Sequence, residues 1–273
     1  MKIGLRAHDF GRQAPNTLAE KISKAGFETC QLALLRAIEG VENLTDVSKE
    51  MLENIGQTFE EHKLQIGVLG CYMEIGYTDK TARLAEVDKF ILGLEHGKAL
   101  NAGLVGTETT FCVPEDEVER EPAYQGLKDS VLRMVEHAEK IGINIGIEPV
   151  ATHTINSAQI TKRLLDEVNS NRLKVIFDPV NLILTEDDVD NQTDLFSNFL
   201  NILGEDTVAL HVKDVVLENG EKVWRNIGSG DIDYAPIFKW FNERSYDIPA
   251  LREEVKPESY RIDIDEMRRL NKI

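Results

Sequence analysis

The sequence predicts an α/β protein of the (β/α)₈ TIM-barrel class, with a parallel eight-stranded barrel. Short β-type runs alternate with longer helical runs along the 273 residues, and strict alternation of this kind implies a parallel sheet. Eight such units fit the usual length of one barrel domain, about 250 residues. Neither a Pro/Gly-rich linker nor a shift in composition divides the chain. We therefore expect a single TIM-barrel domain over residues 1–273.

The strands and helices are predicted from these runs in chain order. The first strand is a short apolar run, and the fourth is rich in Thr and Val. A long amphipathic helix precedes the fourth strand, and Pro122 suits the first turn of the helix after it. The expected strands cover residues 2–6, 27–34, 64–71, 103–111, 143–150, 173–177, 207–212 and 249–255. The expected helices cover residues 17–25, 46–62, 79–100, 122–141, 157–168, 194–203 and 234–244, and only a short terminal segment follows the last strand.

A doubly wound open sheet is the structural alternative to the barrel. Such sheets usually begin with a glycine-rich phosphate loop after the first strand. Neither GxGxxG nor GxxxxGK occurs in this sequence. The barrel is therefore the preferred interpretation.

Charge and composition limit the kinds of partner. The formal net charge is −17, which argues against nucleic acid, because that binding depends on Lys and Arg neutralising phosphates. No apolar run fits a signal peptide or approaches the ~20 residues of a membrane helix. The three cysteines Cys30, Cys71 and Cys112 are widely spaced, which is typical of a reduced protein. We expect a cytoplasmic protein with no membrane partner.

Ligand-type side chains follow four successive predicted strands. Glu148 ends INIGIE, Asp178 follows KVIF, His211 follows VAL, and Glu253 or Glu254 ends ALREE. The spacings of 30, 33 and 42 residues each correspond to about one β/α unit. The carboxyl ends of barrel strands meet at one rim, so these groups should lie together. Burying three carboxylates is costly without a cation, and this donor set suits Mn²⁺, Mg²⁺, Co²⁺ or Zn²⁺.

These motifs resemble the xylose-isomerase-like TIM barrels, which include sugar isomerases and epimerases, inosose dehydratase and endonuclease IV. The resemblance is carried by IEP, FDPVN, LHVKD and NIGSGDIDYAPIFKWFNERSYDIPALREE, and it covers essentially the whole chain. It implies one divalent metal ion bound by Glu148, Asp178, His211 and Glu253. It also implies that Glu148 and Glu253 are the catalytic groups, which transfer a proton through an enediolate.

Two arguments disagree about which glutamate of the last strand faces inward. Side chains alternate along a strand, and an apolar outer face would put Glu254 inside together with Arg252. In the family the metal-binding glutamate follows the Tyr of a Tyr-Asp pair by seven residues, and counting seven from Tyr246 gives Glu253. We expect Glu253, with Glu254 as the alternative.

Further polar residues near the strand ends are candidates for binding substrate. Asn181 stands where the epimerases and endonuclease IV have a histidine, and an amide can hydrogen-bond a hydroxyl. The GTETTF end of strand four has a glutamate and no histidine, so the three-zinc cluster of endonuclease IV cannot form. Lys213 can face the rim or form a salt bridge, and Arg225 can reach a hydroxyl or phosphate or remain solvated. The candidates are His8, Glu108, His153, Asn181, Lys213 and Arg225.

The resemblance predicts a metal-dependent sugar (or sugar-derivative) isomerase or epimerase. A lyase similar to inosose dehydratase and a non-catalytic sugar- or metal-binding barrel are the alternatives. The substrate is expected to be a small sugar or polyol-derived molecule. The sequence has no glycine-rich phosphate nest, which favours an unphosphorylated one. The oligomeric state is left open between a monomer and a homo-oligomer, although such barrels commonly form dimers and tetramers.

Overall fold

A closed barrel of parallel strands forms the centre of the molecule. The computed structural model describes residues 1–110 and 117–273, and within these residues eight strands close into a parallel barrel. The ten strands of the described residues are β1 (Lys2–Arg6), β2 (Thr29–Leu32), β3 (Gln65–Gly70), β4 (Leu104–Glu108), β5 (Ile145–Glu148), β6 (Leu173–Phe177), β7 (Thr207–Val212), β8 (Asp214–Glu218), β9 (Glu221–Arg225) and β10 (Pro249–Arg252). The barrel order is β1-β10-β7-β6-β5-β4-β3-β2, and β8 and β9 pair outside the barrel. The predicted (β/α)₈ class is confirmed.

Helices surround the barrel and link its strands. They are α1 (Pro15–Ala25), α2 (Leu34–Ala37), α3 (Lys49–Glu61), α4 (Lys80–Ala99), α5 (Glu117–Ile141), α6 (Ala158–Val168), α7 (Glu186–Asp190), α8 (Gln192–Leu203), α9 (Ala235–Glu243) and α10 (Tyr260–Leu270). Among the described residues, no helix has both the length and the apolar character needed to span a membrane.

The helix after the fourth strand begins earlier than predicted. It begins at Glu117, so Pro122 lies inside α5 rather than in its first turn. Residues 117–121 read EVERE, and this charged segment lacks the apolar period that would reveal a helix. The predicted end of strand four, residue 111, and Cys112 lie outside the described residues, whereas Cys30 and Cys71 are buried free thiols.

Two elements near the C-terminal part of the chain are absent from the prediction. Strands β8 and β9 form an antiparallel hairpin after β7. Asn219 and Gly220, both with positive φ, form its turn, and Asn-Gly is a strong hairpin signal. Helix α10 follows β10, and its buried Ile264, Met267 and Leu270 recur every three residues. Both signals were present in the sequence.

A small apolar cluster fills the inside of the barrel. Glycines on β4 and β5 leave space for it, because a Cβ on Gly146 would lie 2.8 Å from Ile176 Cγ1, and one on Gly106 would lie 2.7 Å from Ile176 Cδ1. A larger core lies between the barrel and the helices. The members of the inner cluster are Val68, Leu104, Ile176, Ala209 and Leu251.

Asp214 organises the loop that leads from the hairpin to α9. Its buried carboxylate accepts hydrogen bonds from the backbone N–H groups of Val215, Gly228, Gly230 and Ile232, at 2.9 to 3.2 Å. A Cβ on Gly230 would lie only 2.2 Å from Asp214 Oδ1. The GSGD motif therefore lets the backbone wrap closely around this carboxylate.

Removing the Asp214 carboxylate should destabilise the folded protein. Asp214→Ala leaves four donors without their charged acceptor, so we expect the free energy of unfolding to fall by about 3 kcal/mol or more. Urea denaturation measures the change. Asp231→Ala is the matched control, because Asp231 is exposed and accepts a hydrogen bond at 3.4 Å from Leu217. Equal stabilities of the two variants would contradict the role given to Asp214.

Candidate metal centre

Strand alternation places the predicted ligands directly above the inner cluster. Each ligand follows an inward-facing residue of its strand by two positions, and residues two apart share a face. The side chains therefore converge at the carboxyl-terminal rim of the barrel, where barrel enzymes have their active sites. The pairs are Gly146 and Glu148, Ile176 and Asp178, Ala209 and His211, and Leu251 and Glu253.

The imidazole of His211 is at the centre of this group. Its Nδ1 lies 3.2 Å from Glu148 Oε1, 3.5 Å from Glu253 Oε1 and 3.9 Å from Asp178 Oδ2. All four side chains are buried. Ligand atoms of Glu148, Asp178 and His211 lie within 4.8 Å of one another and could hold a metal ion.

The donor atoms fit a divalent cation. Glu148 Oε2 and His211 Nδ1, the ring nitrogen that faces the carboxylates, are buried and form no hydrogen bond within the described residues. Buried polar groups are normally paired, and a metal ion can supply the missing interaction. Oxygen and imidazole donors together suit a hard or borderline ion.

Lys213 forms ion pairs with two carboxylates of this group of predicted ligands. Its Nζ lies 2.6 Å from Asp178 Oδ2 and 2.9 Å from Glu253 Oε2. The sequence allowed a salt bridge of Lys213 to Asp214 or Glu148, but the partners in the structure are Asp178 and Glu253. Lys213 therefore neutralises two carboxylates on one side, while Glu148 and His211 provide the unpaired atoms on the other.

Burial and charge act against each other on the ionisable groups. Burial lowers the pKa of His211, but Glu148 and Glu253 outweigh it and raise that pKa to about 9. Burial raises the pKa of Glu253, but Lys213 and His211 hold it well below its usual range. The pKa of Glu148 is raised by burial, although His211 opposes this.

Glu253, and not Glu254, lies against His211. The parity argument for Glu254 failed because it required an apolar outer face on β10. Arg252 points outward instead, where it is buried and its Nε lies 3.2 Å from Asp263 Oδ2 on α10. Glu254 follows the end of the strand with φ +59° and bonds Arg6 at 2.8 Å, with 35% of its side chain exposed.

A polar cavity of about 190 Å³ opens beside this cluster. Three of the predicted substrate contacts line it, namely His8, Glu108 and Lys213. Four further lining residues were not predicted, although three of them lie at or just beyond the ends of β1, β2 and β3. They are Arg6, Gln31, Arg36 and Tyr72.

The other three predicted substrate contacts are not among the described residues that line the cavity. Asn181 donates a hydrogen bond from Nδ2 to Glu148 Oε1 at 2.7 Å, so it orients a proposed ligand. His153 Nδ1 lies 4.0 Å from Glu108 Oε2. The guanidinium of Arg225 lies 2.6 Å from Glu218 within the hairpin and is not among the described residues that line the cavity.

An eight-stranded β/α barrel with carboxylates and an imidazole at its rim defines a class of candidate metal-binding barrel proteins. The sequence model of the xylose isomerase-like TIM barrel family matches residues 19–270. The chain belongs to this family, which confirms the resemblance in its motifs. No curated protein matches the chain in a sequence search.

Several solved structures share the fold at low sequence identity. The 3-keto-D-glucoside 4-epimerase from E. coli is 17% identical, with a TM-score of 0.78 over 98% of this chain and 99% of that one. D-psicose 3-epimerase with D-tagatose, from Clostridium cellulolyticum H10, is 15% identical, with a TM-score of 0.78 over 99% of both chains. The IOLI protein with a zinc atom is 18% identical, with a TM-score of 0.72 over 100% of this chain and 95% of that one.

Proposed function

We propose that this protein is a divalent-metal-dependent sugar (or sugar-derivative) isomerase or epimerase. The observation that carries the proposal is that Glu148 and Glu253 both lie within 3.5 Å of His211 Nδ1, beside a polar cavity. Two glutamates at one site can remove and return a proton on a bound molecule. The sugar epimerases among the solved structures of the same fold support this reading.

Glu148, Asp178, His211 and Glu253 would hold the metal ion. Mn²⁺, Mg²⁺, Co²⁺ and Zn²⁺ all suit this donor set. When bound, the ion supplies a Lewis acid that polarises the substrate carbonyl and stabilises the negative charge that develops there. The zinc atom in the IOLI structure, which has the same fold, supports a metal ion in this protein.

The protein's own groups would transfer the proton. One of Glu148 and Glu253 takes a proton from the carbon next to the carbonyl, which leaves an enediolate, and the other returns a proton to carbon. Asn181 fixes the orientation of Glu148 through its 2.7 Å hydrogen bond. Lys213, next to Glu253, would contact a substrate oxygen, and His8 and Glu108 would bind substrate hydroxyls from the wall of the cavity.

Deuterium exchange tests this proposal directly. The protein is incubated in D₂O with Mn²⁺ and a panel of ketoses, inososes and hydroxypyruvate, and NMR detects deuterium at carbon. We expect one substrate to exchange, and Glu148→Gln to slow the exchange by about 10²- to 10⁴-fold. Glu136→Gln is the matched control, because Glu136 is exposed on α5 and pairs with Lys140. Exchange by Glu148→Gln at the wild-type rate would contradict the proton-transfer role of Glu148.

The mass of the product separates an isomerase from a lyase. Isomerisation and epimerisation leave the mass unchanged, whereas a dehydratase removes one water from the same enediolate.

The single domain and the cytoplasmic location stay predictions from the sequence, and the oligomeric state stays open between a monomer and a homo-oligomer.

A further inference from the structure

Arg36 gives the cavity a positive charge that no group in the described part of the chain balances. It belongs to the short helix α2, is exposed, and lines the same cavity as Lys213 and Glu253. Across residues 1–110 and 117–273, no hydrogen bond or ion pair engages its guanidinium. An arginine at the mouth of a cavity has its donor groups available for a ligand.

The other two cations of the cavity lining are already paired. Arg6 bonds Asp9 and Glu254, each at 2.8 Å, and its Nη1 lies 3.4 Å from Glu253. Lys213 contacts Asp178 and Glu253, as described above. Arg36 therefore differs from both, because its charge is not balanced by a carboxylate of the described chain.

The unbalanced charge is notable in a chain with a net charge of −17. His8 also lines the cavity, and burial together with Arg6 and Arg36 lowers its pKa to about 4, so its imidazole is neutral near pH 7. The positive charge of Arg36 on this wall of the cavity suits an anionic group of a ligand.

Neutral polar groups continue the wall beside Arg36. Gln31 is 1% exposed and donates a hydrogen bond to Tyr72 Oη at 2.6 Å. Its Oε1 is buried without a hydrogen-bond partner in the described part of the chain. An unpaired acceptor of this kind suits a hydroxyl group, so the wall presents groups for a polyhydroxylated molecule next to a cation.

We propose that the substrate carries an anionic group, a carboxylate or a phosphate, and that Arg36 binds this group at the mouth of the cavity. The guanidinium fork matches the geometry of both anions. The inference rests on the proposed function, because the cavity is the one beside the proposed catalytic glutamates. It narrows the substrate class to acidic sugars or sugar phosphates, whereas the sequence favoured an unphosphorylated substrate.

Calorimetric titration of three related ketoses tests the role of Arg36. D-fructose, D-fructuronate and D-fructose 6-phosphate differ at one terminal carbon, which bears a hydroxyl, a carboxylate or a phosphate. We expect at least one anionic ketose to bind wild-type protein about tenfold or more tightly than D-fructose. Arg36→Gln should remove the preference, and Arg36→Lys should keep part of it. The tighter of the two anions identifies the group.

A matched control and two small anions complete the test. Arg133→Gln removes one positive charge from the exposed side of α5 and should leave every affinity unchanged. Glycolate and inorganic phosphate, which have no stereocentre, are titrated in the same way. Equal affinity for neutral and anionic probes, no measurable binding of any anion, or a preference that survives in Arg36→Gln would each overturn the inference.

Deuterium exchange keeps this inference separate from the proposed function. Exchange on a ketose whose affinity does not depend on Arg36 would overturn the anion site and leave the isomerase standing. Arg36-dependent anion binding without exchange on any substrate would support the anion site and contradict the proposed isomerase.

Discussion

Glu253→Gln is expected to slow deuterium exchange on the substrate by about 10²- to 10⁴-fold, the usual contribution of a general acid or base. Glu254→Gln, the neighbouring change, should stay within about fivefold of wild type, since a half-exposed ion pair contributes little. The difference follows from position, because Glu253 lies 3.5 Å from His211 and 2.9 Å from Lys213. Glu254 instead contacts Arg6 at 2.8 Å.

Metal content gives a second measurement on the same pair of variants. If Glu253 is a ligand, Glu253→Gln should bind Mn²⁺ more weakly than wild type, whereas Glu254→Gln should bind it equally well. Equilibrium dialysis measures both affinities. A pair in which Glu254→Gln loses exchange and metal, and Glu253→Gln keeps them, would reverse the assignment of the fourth ligand.

Asp263→Ala is expected to lower the free energy of unfolding by about 3–5 kcal/mol, because it leaves the Arg252 charge buried and unpaired. Both side chains are almost fully buried, and Asp263 also accepts a hydrogen bond from the Ile227 amide at 2.7 Å. Chemical denaturation measures the loss. Asp265→Ala, an exposed position on the same helix, is the control.

A double variant separates the ion pair from packing. Arg252→Met with Asp263→Leu replaces the pair by apolar side chains of similar size and should recover most of the stability. Because Arg252 immediately precedes Glu253, the single variant should also displace that glutamate and slow exchange. A single variant as stable as the Asp265 control would show that the pair does not tie α10 to the barrel.

Periodicity and strand ends made the barrel and the ligand cluster predictable. Glu148, Asp178 and His211 each stand at the end of a clear apolar run, and the parallel sheet brings such ends together. The hairpin and α10 were missed even though Asn219-Gly220 and the Ile264 period marked them. Those signals are local, and neither element belongs to the alternating β/α pattern that predicted the rest of the fold.

Residues that act through distant partners were harder to predict. Nothing in ALREEV shows that Arg252 pairs with Asp263 on a later helix, so the outer face of β10 could not be judged from its own residues. Arg36 was missed because it belongs to a four-residue helix inside a predicted loop. The ion pair of Arg225 with Glu218 depends on a hairpin that was itself not predicted.

The two glycines beneath the proposed site limit how its specificity can change. Ile176 covers both Gly106 and Gly146, so a larger side chain at either position would collide with it. The barrel interior beneath the proposed ligands is thus closed to larger side chains, so a change of specificity has to come from the residues that line the cavity. Arg36 and Tyr72 line the cavity itself, so substitutions there would change its lining directly.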